Sequence, residues 1–278
     1  MADFTLVDVF GSGGPSGNPL PVIHAADALD TETMQAITRW FGLSETTFLC
    51  VPTDPGADFR VRIFTLDREL PFAGHPTLGT CHAWLEAGGR PRDPATIVQQ
   101  CGAGLVPIRR EAQLAFASPP LVRSGPVAEA ELDTLAAFLG IARADIVDSR
   151  WIDNGPGWVG VMLASAAQVL ALDPPRHWPD RIEVGVVGPH PDARDGAYEV
   201  RAFFSGPNRE IIEDPVTGSL NASVAEWMVD TGRFAPPFVA CQGTALGRRG
   251  RVSVSGEAGA LWIGGRTETI ARGTTSLA

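Results

Sequence analysis

Two stretches of this chain carry the same pattern. Glu69-Leu70-Pro71-Phe72-Ala73-Gly74 and Glu213-Asp214-Pro215-Val216-Thr217-Gly218 both read Glu-x-Pro-x-x-Gly. An Arg-x-Phe strand precedes each, Arg62-Ile63-Phe64 and Arg201-Ala202-Phe203, and a segment with helical character follows each. The first helix is expected from Pro76 to Glu86. Pro76 suits a first helical turn, and Gly88-Gly89 suits its end. The second is expected to start at Ser219 as N-cap and to run through Val224, Trp227 and Met228 to a stop at Gly232. One copy of so short a pattern says little, but two in matching context point to a duplicated α+β domain.

The halves are also similar upstream. Met34, Ile37, Trp40 and Phe41 have three-to-four spacing after the cap residue Asp30, and Gly42-Leu43 closes that helix. Leu132, Leu135, Phe138 and Leu139 repeat the spacing, closed by Gly140-Ile141. Short β-branched runs, Val61 to Leu66, Ile182 to Val187 and Arg251 to Ser255, read as strands between the helices. The chain has 278 residues, 44% of them hydrophobic, enough for two domains of about 130 residues each. The expected division gives residues 1–117 plus 266–278 to a first lobe and 118–265 to a second.

Net charge is −10, and the only basic cluster is Arg248, Arg249 and Arg251. An acidic balance repels polyphosphate, so nucleic acid is not an expected partner. No apolar run approaches the roughly 20 residues of a membrane span. The N-terminal residues Met1 to Phe10 alternate like a strand and lack the basic start expected of a signal peptide. Cys50, Cys81, Cys101 and Cys241 form no Cys-x-x-Cys pair, so neither a metal nor a redox motif is suggested. Scattered, buried thiols fit a reducing cytoplasm.

A glycine turn that runs into a helix presents backbone N–H groups at the positive end of the helix dipole, which suits a carboxylate or a developing oxyanion. Gly74-His75 and Gly218-Ser219 would supply such groups from two sides of one cleft between the lobes, a common place for ligand sites. Catalytic asymmetry is then sought where the repeat breaks. Ser44-Glu45-Thr46-Thr47 follows Gly42-Leu43, whereas the same offset from Gly140 gives Arg143. Glu45 is thus a carboxylate at a helix-to-strand junction beside an apolar strand, where desolvation would raise its pKa and suit it to proton transfer. Asp214 stands where the first half has Leu70, and His75 where the second half has Ser219. The run Gly11-Ser12-Gly13-Gly14-Pro15-Ser16-Gly17 has no following Gly-Lys-Ser/Thr, so it is read as a mobile hairpin or loop and not a phosphate-binding loop.

The motifs that carry a family resemblance span nearly the whole chain. They are Ser16-Gly17-Asn18-Pro19, Leu43-Ser44-Glu45-Thr46-Thr47-Phe48, Phe64-Thr65, Glu69 to Thr80, Asn154-Gly155-Pro156, Glu213 to Ser219, and Gln242-Gly243 with Gly247-Arg248. Together they resemble the signatures of the phenazine-biosynthesis PhzF-like family. The resemblance implies the diaminopimelate-epimerase fold, two pseudo-symmetric α+β domains, each a curled sheet around a central helix. It also implies a homodimer. It makes Glu45 the proton-transfer residue, lines the site with His75 and Asp214, and has Gly218-Ser219 help hold the substrate. In related epimerases two cysteines on the opposed glycine loops serve as base and acid; by motif superposition those places are Ala73 and Thr217 here, neither of which exchanges a proton as a thiolate does. A single carboxylate that removes a proton and returns it elsewhere on the same molecule performs an isomerisation, with no cofactor and no metal. The expected substrate is a small carboxylate-bearing amino acid or cyclohexadiene, with trans-2,3-dihydro-3-hydroxyanthranilate the phenazine-pathway case. A non-catalytic small-molecule-binding or interaction protein on the same scaffold, and a lyase or epimerase using Glu45 with Asp214 or His75, are the competing readings. The chain departs from the usual Gly-Arg-Pro-Ser near the C-terminus, having Gly247-Arg248-Arg249-Gly250.

Overall fold

The computed structural model describes residues 2–192, 194, 196–257 and 259–276. Its residues divide into two compact units, Met1–Ala117 with Gly264–Ala278, and Ser118–Ile263.

The first unit holds β1 (Ala2–Val9), β2 (Asn18–Ile23), α1 (Thr31–Phe41), β3 (Glu45–Cys50), β4 (Phe59–Thr65), β5 (Glu69–Leu70), α2 (Gly74–Glu86), β6 (Thr96–Cys101), β7 (Gly104–Arg110) and β8 (Leu114–Ala117). The second holds β9 (Arg123–Gly125), α3 (Glu129–Leu139), β10 (Asp148–Asp153), β11 (Val159–Met162), α4 (Ala166–Leu170), β12 (Glu183–Pro189), β13 (Tyr198–Ser205), β14 (Ile211–Asp214), α5 (Gly218–Asp230), β15 (Phe238–Gln242) and β16 (Gly250–Glu257). Strand β17 (Ala260–Gly265) contains the end of the second unit, and β18 (Thr267–Thr275) returns to the first, pairing antiparallel with β1.

The duplication is visible in the pairing pattern. In the first unit β1–β2 is antiparallel, β2–β3 parallel, β3–β4 antiparallel, β4–β5 antiparallel, β4–β6 parallel and β6–β7 antiparallel. In the second, β10–β11, β11–β12, β12–β13, β13–β14, β13–β15 and β15–β16 repeat those directions in the same order.

Within each unit one helix runs against the sheet's inner face. Helix α2 buries Gly74 through Cys81 and packs on β1, β2 and β3; α5 buries Leu220 through Ala225 with Trp227 and Met228, and packs on β10, β12 and β16. A helix apolar nearly all round must be enclosed, which is why neither shows the one-sided stripe of a surface helix. Close approach needs small residues at the contact. A Cβ on Gly79 of α2 would lie 2.8 Å from Val9 Cγ2, and one on Gly185 of β12 would overlap the Leu220 side chain of α5.

The outer helices behave as their sequences indicate. Asp30 caps α1 by accepting from Thr33 N–H at 2.8 Å, and Gly42 ends it in the left-handed region at φ 66°. Gly140 ends α3 in the same way at φ 68°. The central helices begin earlier than expected. Helix α5 starts at Gly218, so Ser219 sits in its first turn and Thr217 is the N-cap, while α2 starts at Gly74, ahead of Pro76.

The topology corrects the correspondence drawn from helical spacing. Helix α1 lies between β2 and β3, and the element between β11 and β12 is α4, not α3, which precedes β10. Helices α1 and α3 each have 11 residues and end at a glycine. Helix α4 has only five residues, too short to show a period.

Candidate active site

In the first unit the site residues gather at the start of α2. Its N-cap, Ala73, is extended and has no side chain able to accept a hydrogen bond, so the first turn lacks a side-chain cap. His75 is the second residue of the helix and almost wholly buried, and Asn18 Nδ2 lies 3.4 Å from its Nδ1. An amide nitrogen can only donate, so Nδ1 is the acceptor and the ring proton sits on Nε2. That nitrogen is 3.6 Å from Glu45 Oε2. The distance exceeds a hydrogen bond, and such contacts commonly tighten around substrate.

Glu45 is the first residue of β3, with 16% of its side chain exposed. Thr46 and Thr47 after it are fully buried, and Thr80 of α2 donates to Thr47 Oγ1 at 2.8 Å, which fixes strand and helix together beside the carboxylate. The glycine-rich run before Asn18 is the β1–β2 hairpin. Asp8 holds its far end, accepting from Gly17 N–H at 2.8 Å and Ser16 N–H at 3.3 Å.

The second unit builds a matching turn by different means. Asp214 ends β14, nearly buried, and its Oδ2 accepts from Thr217 Oγ1 at 2.6 Å. That bond turns the Thr217 hydroxyl away from the helix start, so α5 also lacks a side-chain cap. Gln242 grips the turn. It accepts from Thr217 N–H at 2.9 Å and Asn221 Nδ2 at 2.6 Å, and it donates to the Asp214 carbonyl at 2.9 Å and to Thr217 Oγ1 at 3.0 Å. Ser219 is held by Trp158 Nε1 on its hydroxyl at 3.2 Å and by Asn154 Nδ2 on its carbonyl at 2.9 Å.

Glu45, Gly74 and His75 thus come together in one unit, and Asp214, Gly218 and Ser219 in the other. Asn18, Asn154 and Gln242 carry geometry that the sequence announced only as members of quoted motifs. Trp158 gave no signal at all. Strand register also overturns the offset that matched Glu45 with Arg143. Glu45 pairs with Thr65, three residues beyond Arg62, and the residue opposite the same place beyond Arg201 is Glu183, paired with Phe204. Arg143 opens a short 3₁₀ turn and pairs with Glu129 at 2.9 Å. Both halves therefore carry a glutamate here, and the asymmetry lies in its partner: His75 for Glu45, Arg181 for Glu183.

Three of the thiols are unsuited to nucleophilic work. Burial pushes Cys50, Cys81 and Cys101 up from the ordinary thiol range, which leaves little thiolate. Among the described residues no helix is long and apolar enough to cross a membrane.

Comparison with known proteins agrees with this architecture. The sequence model of the family described as phenazine biosynthesis-like protein, PhzC-PhzF, matches residues 7–272. Antisense-enhancing sequence 1 of Schizosaccharomyces pombe is 33% identical over 97% of this chain and 97% of its own length. Trans-2,3-dihydro-3-hydroxyanthranilate isomerase of Pseudomonas chlororaphis is 30% identical over the full length of both. Among solved structures, a Pseudomonas aeruginosa protein described as a predicted epimerase superposes with a TM-score of 0.80 at 27% identity, covering 99% of each chain.

Proposed function

The chain belongs to the phenazine biosynthesis-like family and is an isomerase of diaminopimelate-epimerase-type fold, and from that premise we propose that it moves a proton within a small carboxylate-bearing molecule by means of Glu45. The observation that carries this reading is the Glu45 carboxylate at 3.6 Å from the buried His75 ring, at the start of a helix that no side chain caps. We propose further that the N–H groups at the starts of α2 and α5 serve to hold the substrate carboxylate and its developing charge.

The chemistry balances without an added reagent. Glu45 takes a proton from an activated carbon, and the electron pair left behind moves into the adjoining π system. The Glu45 acid then returns the proton to the far end of that system, which regenerates the carboxylate. His75, with its proton on Nε2, steadies the ionised Glu45. Asp214, Gly74, Gly218 and Ser219 position the substrate. Ala73 and Thr217 at the two helix caps offer no thiol pair, which favours one carboxylate acting twice over a two-base racemase.

Trans-2,3-dihydro-3-hydroxyanthranilate is the first substrate to test, since a relative spanning the whole chain is named for it. Turnover and solvent-deuterium incorporation are compared in the wild type, Glu45→Gln and Glu183→Gln. Glu45→Gln keeps shape but cannot accept the proton, so kcat should fall by about 10²–10⁴-fold with substrate binding retained. Glu183→Gln, at the matching strand position, should turn over normally. Near-wild-type turnover by Glu45→Gln would reject the mechanism.

A further inference from the structure

Three strands of the second unit bring together residues that the active site does not use. His190 directly follows β12, Glu199 is the second residue of β13, and Cys241 lies on β15. In the parallel β13–β15 pair Glu199 stands opposite Cys241, so both side chains leave the same face. His190 Nε2 is 3.4 Å from Glu199 Oε2, and one ligand atom from each of the three residues lies within 4.8 Å of the others. This is the one such cluster of histidine, cysteine and carboxylate groups among the described residues.

The burial is what needs explaining. The Glu199 side chain is 1% exposed, and its Oε1 has no hydrogen-bond partner. His190 Nε2 is likewise buried without one. A carboxylate taken out of water without full compensation is costly. A histidinium on one oxygen would leave the other unsatisfied. A divalent cation removes the difficulty. One thiolate, one carboxylate and a neutral imidazole around a doubly charged ion sum to zero charge, and nitrogen, oxygen and sulfur together suit zinc-type ions. Drawing the three atoms to bonding distance, about 2.0–2.3 Å from a common centre, requires side-chain shifts of ~0.5 Å.

We propose that His190, Glu199 and Cys241 form a zinc-type divalent-cation site that ties β12, β13 and β15 together. It is distinct from the catalytic groups. Cys241 and Gln242 are neighbours on one strand and so point to opposite faces. Gln242 grips the Asp214–Thr217 turn on one side, and the cation sits on the other. The site is structural, with the partly exposed His190 edge as its way in.

The test uses the intact chain, treated with a chelator and then titrated with Zn²⁺ by calorimetry and with Co²⁺ by absorption. The expected result is one ion per chain, a thiolate-to-cobalt charge-transfer band, and a rise in melting temperature as a ligand binds the folded state. Cys241→Ser should abolish the band and His190→Ala should weaken affinity at least 10-fold, about the loss seen when metal-site partners are removed. Cys101→Ser, outside the cluster, should change neither. Absence of saturable binding, or unchanged Co²⁺ spectra and affinity in Cys241→Ser, overturns the proposal. If Cys241→Ser does not fold by circular dichroism, His190→Ala decides, and wild-type affinity in that variant counts against the site.

Discussion

The two Arg-x-Phe strands use one device in two settings. Arg62 on β4 forks onto Glu69 of β5 at 2.8 and 2.6 Å, and its guanidinium lies 5.1 Å from the centre of the Phe64 ring. Arg201 on β13 forks onto Glu213 of β14 at 2.8 Å through both nitrogens, 4.9 Å from the centre of the Phe203 ring. The repeated motif thus has a physical meaning, since its glutamate is the anchor that clips the short strand to the long one ahead of the glycine turn. The settings differ in water. The side chains of Arg62 and Glu69 are 20% and 39% exposed, against 7% and 14% for Arg201 and Glu213. Arg201 also donates to the carbonyls of Val169 at 3.2 Å and Leu172 at 2.6 Å at the end of α4, whereas Arg62 reaches only the Thr31 hydroxyl at 2.9 Å. Sequence repetition preserves the bond, while burial sets its worth.

The largest consequence falls on Arg201. In Arg201→Met the stem still packs, but a buried carboxylate and two carbonyls lose their donor. Removing one partner of a buried pair costs about 3–5 kcal/mol, because the other charge stays behind uncompensated. A urea melt should show that loss. A cost below about 1 kcal/mol would mean that the guanidinium is solvated and the comparison fails. Replacing both partners, Arg201→Met with Glu213→Leu, should recover much of the loss, since a paired apolar substitution leaves no orphaned charge.

A smaller effect is expected where the two turns are braced. Gln242 makes four hydrogen bonds around the Asp214–Thr217 turn, two of them to backbone groups. The buried glutamine of the first unit, Gln99, donates to Thr77 Oγ1 at 3.0 Å and reaches no backbone group of its turn among the described residues. Gln242→Met should therefore cost about 2–3 kcal/mol, and Gln99→Met about 1 kcal/mol, from the penalty of leaving buried polar groups unmet. Gln242→Met should also impair turnover through a displaced Asp214 and Ser219, with KM rising more than kcat falls. Equal stability losses in the two variants would show that the turns are braced by their helices and not by the glutamines.

Local signals made part of this arrangement legible. The glycine stops at Gly42 and Gly140 and the Asp30 cap depend on one or two residues each, so they could be read directly. The Glu-x-Pro-x-x-Gly turns were legible because both copies keep the anchor glutamate. What failed was the matching of helices. Two 11-residue helices with glycine stops look alike, although one lies inside the repeat and the other before it. The true counterpart, α4, is too short to announce itself. The same error matched Glu45 with Arg143 when strand register gives Glu183. Asn18 on the β1–β2 hairpin and Trp158 beside Ser219 act on residues distant in sequence, and no local period encodes such contacts. The helix starts moved by one or two residues because a glycine turn without a side-chain cap lets the helix begin earlier than the usual cap rules suggest.

The smallest effect belongs to Arg62, and it is the sharpest test of the burial argument because the bond itself is as short as its partner's. Arg62→Met removes the same fork from Glu69, but Glu69 is more than a third exposed and water can take the donor's place. The hydrogen bond that Arg62 donates to Glu69 raises the guanidinium's pKa, against a smaller opposing effect of burial, so the attraction is real. An exposed pair nevertheless contributes only about 0.2–1 kcal/mol, since solvent screens the charges and two long side chains lose freedom in making it. The loss in Arg62→Met should therefore stay below about 1 kcal/mol and shrink further at about 1 M salt, where the screening length falls to about 3 Å. The Arg201→Met loss should hardly respond to salt. Stability of both variants across a salt series separates the two cases. A loss at Arg62 that matches Arg201 and persists in high salt would mean that the strand clip does the same work in both units regardless of exposure.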